Sequence, residues 1–227
     1  MTQPQPASAV LGYGSLLNVE SLRRTVPRLS RDNLTPVRVD GYARIFHLVS
    51  LNRGQARGPI RSGLRGAVLD ARPWAGAQMG AVRFDVTGVE QEELDQREFC
   101  YDRHEGVAWR DFQQPARRGR ALVYSVSSAA TLQARFPQLY RERIFGFGVD
   151  GLLSDRIRPL DDYLRLCIEG AFSWGRAFGH HFLANTWLGD GRCLSCWGPA
   201  IEVTRALGEQ ITTVPYANLQ ISPRTRQ

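Results

Sequence analysis

The chain has 227 residues, of which 43% are hydrophobic, and a formal net charge of +7. This length and apolar content predict one core, in one domain or one domain with a helical appendage. All 29 basic side chains are arginines, which excludes chemistry that requires a lysine, such as a Schiff base. No run approaches the roughly 20 apolar residues that a bilayer span needs, and residues 1–6 lack the basic and apolar stretches of a leader. Four cysteines are too few for a disulfide scaffold, so we expect a cytoplasmic protein with no membrane partner.

The excess positive charge is concentrated in the first third of the chain. Residues 1–72 hold 11 arginines and 4 acidic residues, whereas residues 73–227 hold 18 of each. A basic face can attract an acidic small molecule or a nucleic acid. Because these arginines are scattered and do not form a stripe, a solvated surface is the simpler interpretation, and we expect no nucleic-acid partner.

The first half of the chain predicts a strand that leads into a glycine turn. Residues 9–13 form a short apolar run that is broken at Gly14 and Ser15. Asn18 is then placed to cap a short helix that runs through Arg24. Apolar residues indicate further strands at 37–39, 45–48, 64–69 and 79–86. Between these strands the sequence predicts an interruption near Gly41, a loop over 52–63 and a turn over 72–76.

A second helix is predicted to begin at a capping box and to end at a carboxylate. Thr87 is followed three positions later by Glu90, a pattern typical of a helix start, and the helix should run toward Glu98. Strands over 101–112 and 121–126 follow, separated by a basic turn. Glu98 is therefore expected at a helix end beside aromatic residues.

The last third of the chain predicts one long amphipathic helix. From Leu160 as far as Phe182, apolar residues recur at three- and four-residue steps. The apolar stripe of this helix could cover the core, close an active site or form a homodimer interface. Periodicity does not separate these roles.

Two short motifs, in the same order along the chain, carry a resemblance to a known superfamily. Residues 12–17 have the sequence Gly-Tyr-Gly-Ser-Leu-Leu, and residues 94–103 have the sequence Leu-Asp-Gln-Arg-Glu-Phe-Cys-Tyr-Asp-Arg. The first resembles the Tyr-Gly-Ser-Leu turn of the γ-glutamylcyclotransferase superfamily, including its glutathione-degrading branch. The second resembles the Leu-Asp-x-Arg-Glu block of the same families. The resemblance covers about residues 8–127.

The resemblance implies an α+β fold, a small mixed β-barrel with flanking helices. We therefore expect a γ-glutamylcyclotransferase-like core at residues 8–127 and a helical extension packed on it at residues 128–217. Residues 218–227 are rich in polar residues and are expected to form a poorly ordered tail.

The resemblance also implies an activity, the release of 5-oxoproline from a γ-glutamyl compound. Glu98 would be the acid/base carboxylate. The substrate's own α-amine attacks its γ-carbonyl, so the reaction needs no enzyme nucleophile, and we expect no cofactor and no metal. One carboxylate can take a proton from the α-ammonium and return it to the departing amine.

The glycine turn supplies the first candidate substrate-binding residues. Tyr13, Gly14, Ser15 and Leu16 would bind the glutamyl group, since a glycine turn lets backbone N–H groups approach a ligand closely. Tyr101 and Tyr124 are further candidates to hydrogen-bond the substrate through their hydroxyls. Arg44 or Arg103 could pair with a carboxylate of the substrate.

Several alternatives stay open at this stage. Glu98 could be an exposed acid at a helix end, paired with Arg97 or Arg103. The chain could also be a catalytically silent member of the fold that binds a ligand or a protein. A less favoured alternative is an arginine-rich protein that binds nucleic acid. The substrate itself could be glutathione, a γ-glutamyl amino acid, a γ-glutamyl amine or a γ-glutamyl-protected biosynthetic intermediate.

One Cys-x-x-Cys motif has partial metal-ligand character. Cys193 and Cys196 follow His180 and His181, but adjacent histidines on a helix diverge by about 100° and do not readily share a metal. We therefore expect these residues to pack in the core.

Ser15 invites comparison with hydrolases, with His47 or His104 as its base. The glycine spacing of a nucleophile elbow is absent, and no dinucleotide-binding or phosphate-loop pattern occurs.

Overall fold

The computed structural model describes residues 8–51, 64–147 and 151–210. Its strands are β1 (Ser8–Gly12), β2 (Thr35–Val49), β3 (Leu64–Val86), β4 (Asp102–Asp111), β5 (Arg118–Ser125), β6 (Ile157–Pro159) and β7 (Thr186–Leu188). Its α-helices are α1 (Val19–Arg23), α2 (Gly88–Arg97), α3 (Ala129–Arg135), α4 (Pro137–Phe147), α5 (Asp161–Phe172), α6 (Arg176–Ala184) and α7 (Gly198–Ala206). None of these helices combines the length and the apolar character that a membrane span requires.

The central sheet closes into a mixed barrel. Strands β3, β1, β5, β4 and β2 are neighbours in that order, and β2 pairs again with β3. The β1–β5 pair is parallel, and the other pairs of the barrel are antiparallel. The short strands β6 and β7 add to β3 and β2 at the edges. This barrel with flanking helices confirms the predicted α+β fold class.

Strands β2 and β3 are each longer than the sequence predicts. The expected turn over 72–76 does not separate two strands: β3 continues past it and pairs with β2 on both sides, while residues 74–77 bulge out without a partner in β2. The predicted interruption near Gly41 is a bulge within one strand, where Gly41 has φ 77° and the pairing register shifts. Gly76 has φ 81°, so each of the two paired strands bends at a glycine and the ladder continues past it.

The capping box that begins α2 is confirmed. The Thr87 side chain accepts from the Glu90 N–H, and the Glu90 carboxylate accepts from the Thr87 N–H at 2.8 Å. Glu90 also accepts from Nε of Arg28 at 2.6 Å, which joins the start of the helix to the loop after α1. The helix ends with Glu98 as its C-cap, as the sequence predicts. Asn18 caps α1, also as predicted, by accepting from the Ser21 N–H.

The long helix predicted over 160–182 is instead two helices. The chain breaks between α5 and α6 at Gly175, whose φ of 106° is accessible to glycine and rarely to other residues. The apolar face of α5 is buried against the barrel, so this helix covers the core. The extension is not purely helical, since it also supplies β6 and β7. The predicted loop over 52–63 and the predicted tail over 218–227 lie outside the described residues.

Candidate active site

The glycine turn after β1 is shaped by close packing. It leads into a short 3₁₀ turn, Ser15–Leu17. A Cβ on Gly12 would lie 2.6 Å from Cβ of Leu16, and a Cβ on Gly14 would lie 2.9 Å from the Tyr163 hydroxyl. Both distances are shorter than ordinary Cβ contacts, so a side chain at either position would force Leu16 or Tyr163 to shift.

Glu98 lies in a cleft beside this turn. The cleft has two adjoining lobes, and Glu98 lines both. The first lobe is lined by the predicted binding residues Tyr13, Gly14, Ser15, Leu16, Tyr101 and Tyr124. The second lobe adds Leu51, Val68, Arg97 and Cys100. The two motifs that are distant in sequence therefore meet at one site. The Glu98 side chain is only 14% exposed, unlike the exposed helix-end acid of the alternative interpretation.

Two tyrosine hydroxyls of the first lobe are anchored to the backbone. Tyr13 donates to the carbonyl of Tyr124 at 2.6 Å, and Tyr101 donates to the carbonyl of Leu69 at 2.6 Å. Burial raises the pKa of both phenols well above the usual value. Both side chains are therefore neutral in the physiological range. Because the Tyr101 hydroxyl donates its proton to the Leu69 carbonyl, it can accept a hydrogen bond from a ligand, and a cationic donor suits this lone pair.

The hydroxyl of Tyr124 is held by α2. It donates to Asp95 at 2.7 Å and accepts from Nε2 of Gln91 at 2.5 Å. Burial first, and then the hydrogen bond to Asp95, raise the pKa of Tyr124. These contacts join α2 to β5 and hold the Tyr124 side chain in the wall of the first lobe.

Arg97 connects the two motifs. Its Nε lies 3.2 Å from the Glu98 carboxylate, and its Nη2 donates to the Ser15 hydroxyl at 3.1 Å. The other contacts of the guanidinium are the Ser21 carbonyl at 2.7 Å, the Ser21 hydroxyl at 2.9 Å and the Thr25 hydroxyl at 3.1 Å. The side chain therefore ties Glu98, the glycine turn and α1 into one unit. The sequence placed Arg97 only as an alternative partner of Glu98.

Tyr163 of α5 is a lining residue that the sequence analysis missed. It lines both lobes and is 5% exposed. It lies in the extension, beyond the region of family resemblance. The one available signal was its place in the apolar periodicity of α5, which does not distinguish a core residue from a residue at a site.

Arg44 is not brought to the cleft, which corrects the expectation that it pairs with a substrate carboxylate. The side chain is fully buried and donates to the Thr186 hydroxyl at 3.1 Å and to the carbonyls of Gly80 at 2.5 Å and Phe182 at 3.4 Å. Its guanidinium also stacks 4.1 Å from the Phe182 ring centroid. Arg44 thus joins β2 to α6 and β7, and its donors are occupied by the protein.

The candidate bases of a Ser15 hydrolase lie elsewhere. His47 pairs with the buried Asp70 at 3.1 Å, and His104 lies 3.4 Å from the Ser127 hydroxyl. Neither histidine lines the cleft, and the Ser15 hydroxyl accepts from Arg97. The geometry does not supply Ser15 with a base.

Cys193 is part of the packing around β7. Its thiol lies 3.3 Å from the Leu183 carbonyl and 3.1 Å from the Ser195 hydroxyl. Across 8–51, 64–147 and 151–210, no three histidine, cysteine or acidic side chains are grouped closely enough to hold a metal.

His181 is a partly buried histidine whose two ring nitrogens are shielded from solvent and have no hydrogen-bond partner within the described residues. Its ring packs edge-on against Phe112, with centroids 5.4 Å apart. Burial first, and then the charges of Arg44 and Arg38, lower the pKa of His181 to about 3. The folded protein therefore holds this ring neutral at a pH where an unfolded chain would protonate it.

His181→Leu is expected to make the protein less sensitive to acid. A pKa that is lowered on folding contributes stability above the unfolded value of about 6.5, and this stability is lost as the pH falls from there toward 3. Between pH 7 and pH 5 the variant should gain about 2 kcal/mol relative to the wild type, at 1.36 kcal/mol per pH unit. Urea unfolding at the two pH values measures the difference. A gap between the proteins that stays constant with pH would contradict the expectation.

Comparisons with known proteins show which known fold this chain resembles. No protein-family model matches the sequence, and a search of curated proteins finds no significant match. Among solved structures, the chain is similar to an uncharacterized protein from Homo sapiens, with a TM-score of 0.53, 12% identity, and coverage of 79% of this chain and 88% of that chain. It is also similar to a gamma-glutamyl cyclotransferase, with a TM-score of 0.50, 12% identity, and coverage of 78% of this chain and 85% of that chain. The chain therefore has a γ-glutamyl cyclotransferase-like fold.

Proposed function

We propose that this chain is an enzyme that releases 5-oxoproline from a γ-glutamyl compound, with Glu98 as the general acid and base. The observation that carries the proposal is the meeting of Glu98 and the glycine turn at one cleft. The fold of a gamma-glutamyl cyclotransferase supports the same reaction class. Fold alone does not specify function, so the proposal depends on the site.

The first step is a proton transfer. The Glu98 carboxylate takes a proton from the substrate's α-ammonium, and the free α-amine attacks the γ-carbonyl carbon of the same molecule. A five-membered ring closes as the new N–C bond forms, and the carbonyl oxygen becomes an oxyanion. Because nucleophile and electrophile are tethered, the protein needs only to hold the substrate folded, with its α-amine next to its γ-carbonyl. The lone pair of the Tyr101 hydroxyl suits the α-ammonium before this step.

The oxyanion then collapses. The C–N bond to the leaving amine breaks as Glu98 returns the proton to that amine. The ring nitrogen loses its second proton to solvent, and 5-oxoproline and a free amine are released. The charge that develops on oxygen needs donors placed in advance. The amides of Ser15 and Leu16 open the 3₁₀ turn and have no carbonyl partner within it, so they can serve as those donors.

The proposal is tested by incubating the purified protein with a panel of γ-glutamyl compounds. The panel contains glutathione, a γ-glutamyl amino acid and a γ-glutamyl alkylamine, and 5-oxoproline is quantified by mass spectrometry. We expect release from at least one compound, with equal amounts of 5-oxoproline and free amine. Binding of these compounds without any release would instead favour a catalytically silent member of the fold.

Gly14→Ala is expected to lower kcat/KM about tenfold or more while leaving the fold intact. The added methyl group would lie 2.9 Å from the Tyr163 hydroxyl, so Tyr163 or the turn must move within the cleft. A displacement on this scale misplaces the reacting groups. Steady-state kinetics and thermal unfolding of the variant measure the two effects.

Gly198→Ala is the matched control for this change. Gly198 is the first residue of α7, and a Cβ there meets no atom within 4 Å. The control should retain wild-type activity. Equal activity in both variants would mean that the Gly14 contact with Tyr163 does not matter to the reaction.

A further inference from the structure

Asp70 of β3 is a fully buried carboxylate that lies outside the described lining of the cleft. Its Oδ1 accepts from the Val126 N–H at 2.9 Å. Its Oδ2 lies 3.1 Å from Nε2 of His47 in β2 and 3.7 Å from Nη1 of Arg72. A buried carboxylate is costly unless such partners hold it in place. Asp70 therefore ties β3 to β2 and to the residue that follows β5.

Arg72 makes a second link between β3 and the end of β5. Its Nη1 donates to the Val126 carbonyl at 2.7 Å. The N–H and the carbonyl of Val126 are thus both bound by side chains of β3, and Val126 itself is 1% exposed. We call Asp70 and Arg72 together the Val126 clamp.

The Tyr13 hydroxyl lies beside this clamp. It donates to the carbonyl of Tyr124 in β5, two residues before Val126. Burial first, and then the charge of Asp70, raise the pKa of Tyr13, which is the effect of a carboxylate near the phenol. A shift of the end of β5 relative to β3 would therefore move the Tyr13 hydroxyl and the glycine turn that follows it.

The Tyr101 hydroxyl is attached to the other strand of the clamp. It donates to the carbonyl of Leu69 in β3, the residue before Asp70. The backbone of Tyr101 directly precedes β4, whose first residue, Asp102, pairs with Ser125 of β5. The side chain therefore reaches from the β4–β5 pair to β3, and the clamp holds the two sides that it joins.

From these contacts we infer that Asp70 and Arg72 are positioning residues for the proposed reaction. They act through Tyr13 and Tyr101, by holding the end of β5 against β3. The Tyr101 lone pair then faces the substrate's α-ammonium, and the glycine turn keeps its place in the first lobe. Because a misplacement of about 1 Å can cost about 100-fold in rate, a loosened clamp slows the reaction. This kinetic consequence rests on the proposed function.

The clamp is tested with Asp70→Ala in protein that carries 3-fluorotyrosine. The chain has seven tyrosines, and the ¹⁹F resonances of two of them are assigned with Tyr13→Phe and Tyr101→Phe. These resonances report the surroundings of each ring whether or not the protein is active. We expect both to shift or broaden in the variant. In the unlabelled variant, kcat for 5-oxoproline release should fall about tenfold or more, with KM within about threefold of the wild type.

Asp111→Ala is the matched control. Asp111 is a buried carboxylate at the end of β4 that is opposite Tyr101, and it accepts from the N–H groups of Gln113 and Gln114 at 2.9 and 3.0 Å. Its loss should destabilise the protein but leave the two resonances and kcat unchanged. If Asp70→Ala does not fold, Arg72→Met takes its place, since Arg72 is 31% exposed and the change removes one half of the clamp. It should move the same two resonances and lower kcat about threefold.

Unmoved resonances of Tyr13 and Tyr101 in a folded clamp variant would overturn the inference, as would equal movement in Asp111→Ala. Moved resonances with an unchanged kcat would overturn the role of the clamp in the reaction. If the wild type releases no 5-oxoproline from any γ-glutamyl compound, the proposed function fails. The ¹⁹F spectra then decide by themselves whether the clamp positions the two tyrosines.

Discussion

Glu98→Gln should lower kcat/KM for 5-oxoproline release by at least about 100-fold, the scale of general acid–base catalysis. Glutamine keeps the shape of the side chain and can still contact Arg97 through its carbonyl oxygen, but it cannot take the proton of the α-ammonium. Thermal unfolding should change little, because the residue stays at the helix end beside the same neighbours. Steady-state kinetics on the best substrate of the panel measure the effect.

Glu93→Gln is the matched control for this loss. Glu93 lies in the same helix and is exposed to solvent. The substitution removes the same charge from the protein without touching the cleft, and the activity of the variant should equal that of the wild type. Retention of more than a tenth of the wild-type activity by Glu98→Gln would mean that another group moves the proton.

Arg97→Gln is expected to have the second-largest effect, on both stability and pH dependence. The change removes most of five contacts that join α1, the glycine turn and Glu98. Hydrogen bonds to a charged group are worth about 1.5–3 kcal/mol each and are not additive, so we expect a loss of about 2–4 kcal/mol. The acid limb of the kcat/KM profile should also move to higher pH, because Glu98 loses the adjacent cation that favours its ionised form.

Arg28→Gln separates the two effects. Arg28 pairs with Glu90 at the opposite end of α2, with Nε to Oε1 at 2.6 Å, and lies half exposed. Its loss should cost less stability, as is usual for exposed pairs, and should leave the pH profile unchanged. An unshifted acid limb in Arg97→Gln, or an equal shift in Arg28→Gln, would show that Arg97 has a structural role only.

The parts of the fold that could be predicted are those with short-range causes. The capping box at Thr87 and the cap at Asn18 depend on side chains within three residues, and both form as the sequence indicates. The strands next to the glycine turn are also marked by their apolar runs. These signals are local because the hydrogen bonds that produce them are local.

The parts that could not be predicted depend on distant neighbours. The continuation of β3 past residues 74–77 follows from its pairing with β2 on both sides of them, which no short segment encodes. The break at Gly175 depends on a backbone conformation that an isolated glycine permits but does not require. The charge of Arg44 suggests a partner for a substrate carboxylate, whereas in the fold its guanidinium donates to the Thr186 hydroxyl and the Phe182 carbonyl, which are distant in sequence.

The candidate site shows the same division. The family motifs lead to Glu98 and the turn, while Tyr163 comes from α5, outside the region of resemblance. That helix packs directly on the turn: a Cβ on Gly170 would lie 2.9 Å from the Asn18 nitrogen, and the Trp174 indole donates to the Leu17 carbonyl at 2.9 Å. The C-terminal third therefore helps to build the cleft, although its sequence alone does not indicate this.

The most direct test is a crystal structure of Glu98→Gln with a bound γ-glutamyl compound. We expect the α-nitrogen of the ligand within about 2.6–3.2 Å of the side-chain amide of residue 98, the range that proton transfer to the native carboxylate requires. The γ-carbonyl oxygen should face the amides of Ser15 and Leu16, and the amine substituent should occupy the second lobe. A ligand whose α-nitrogen lies far from residue 98, or whose γ-carbonyl faces away from the turn, would contradict Glu98 as the acid and base of the reaction.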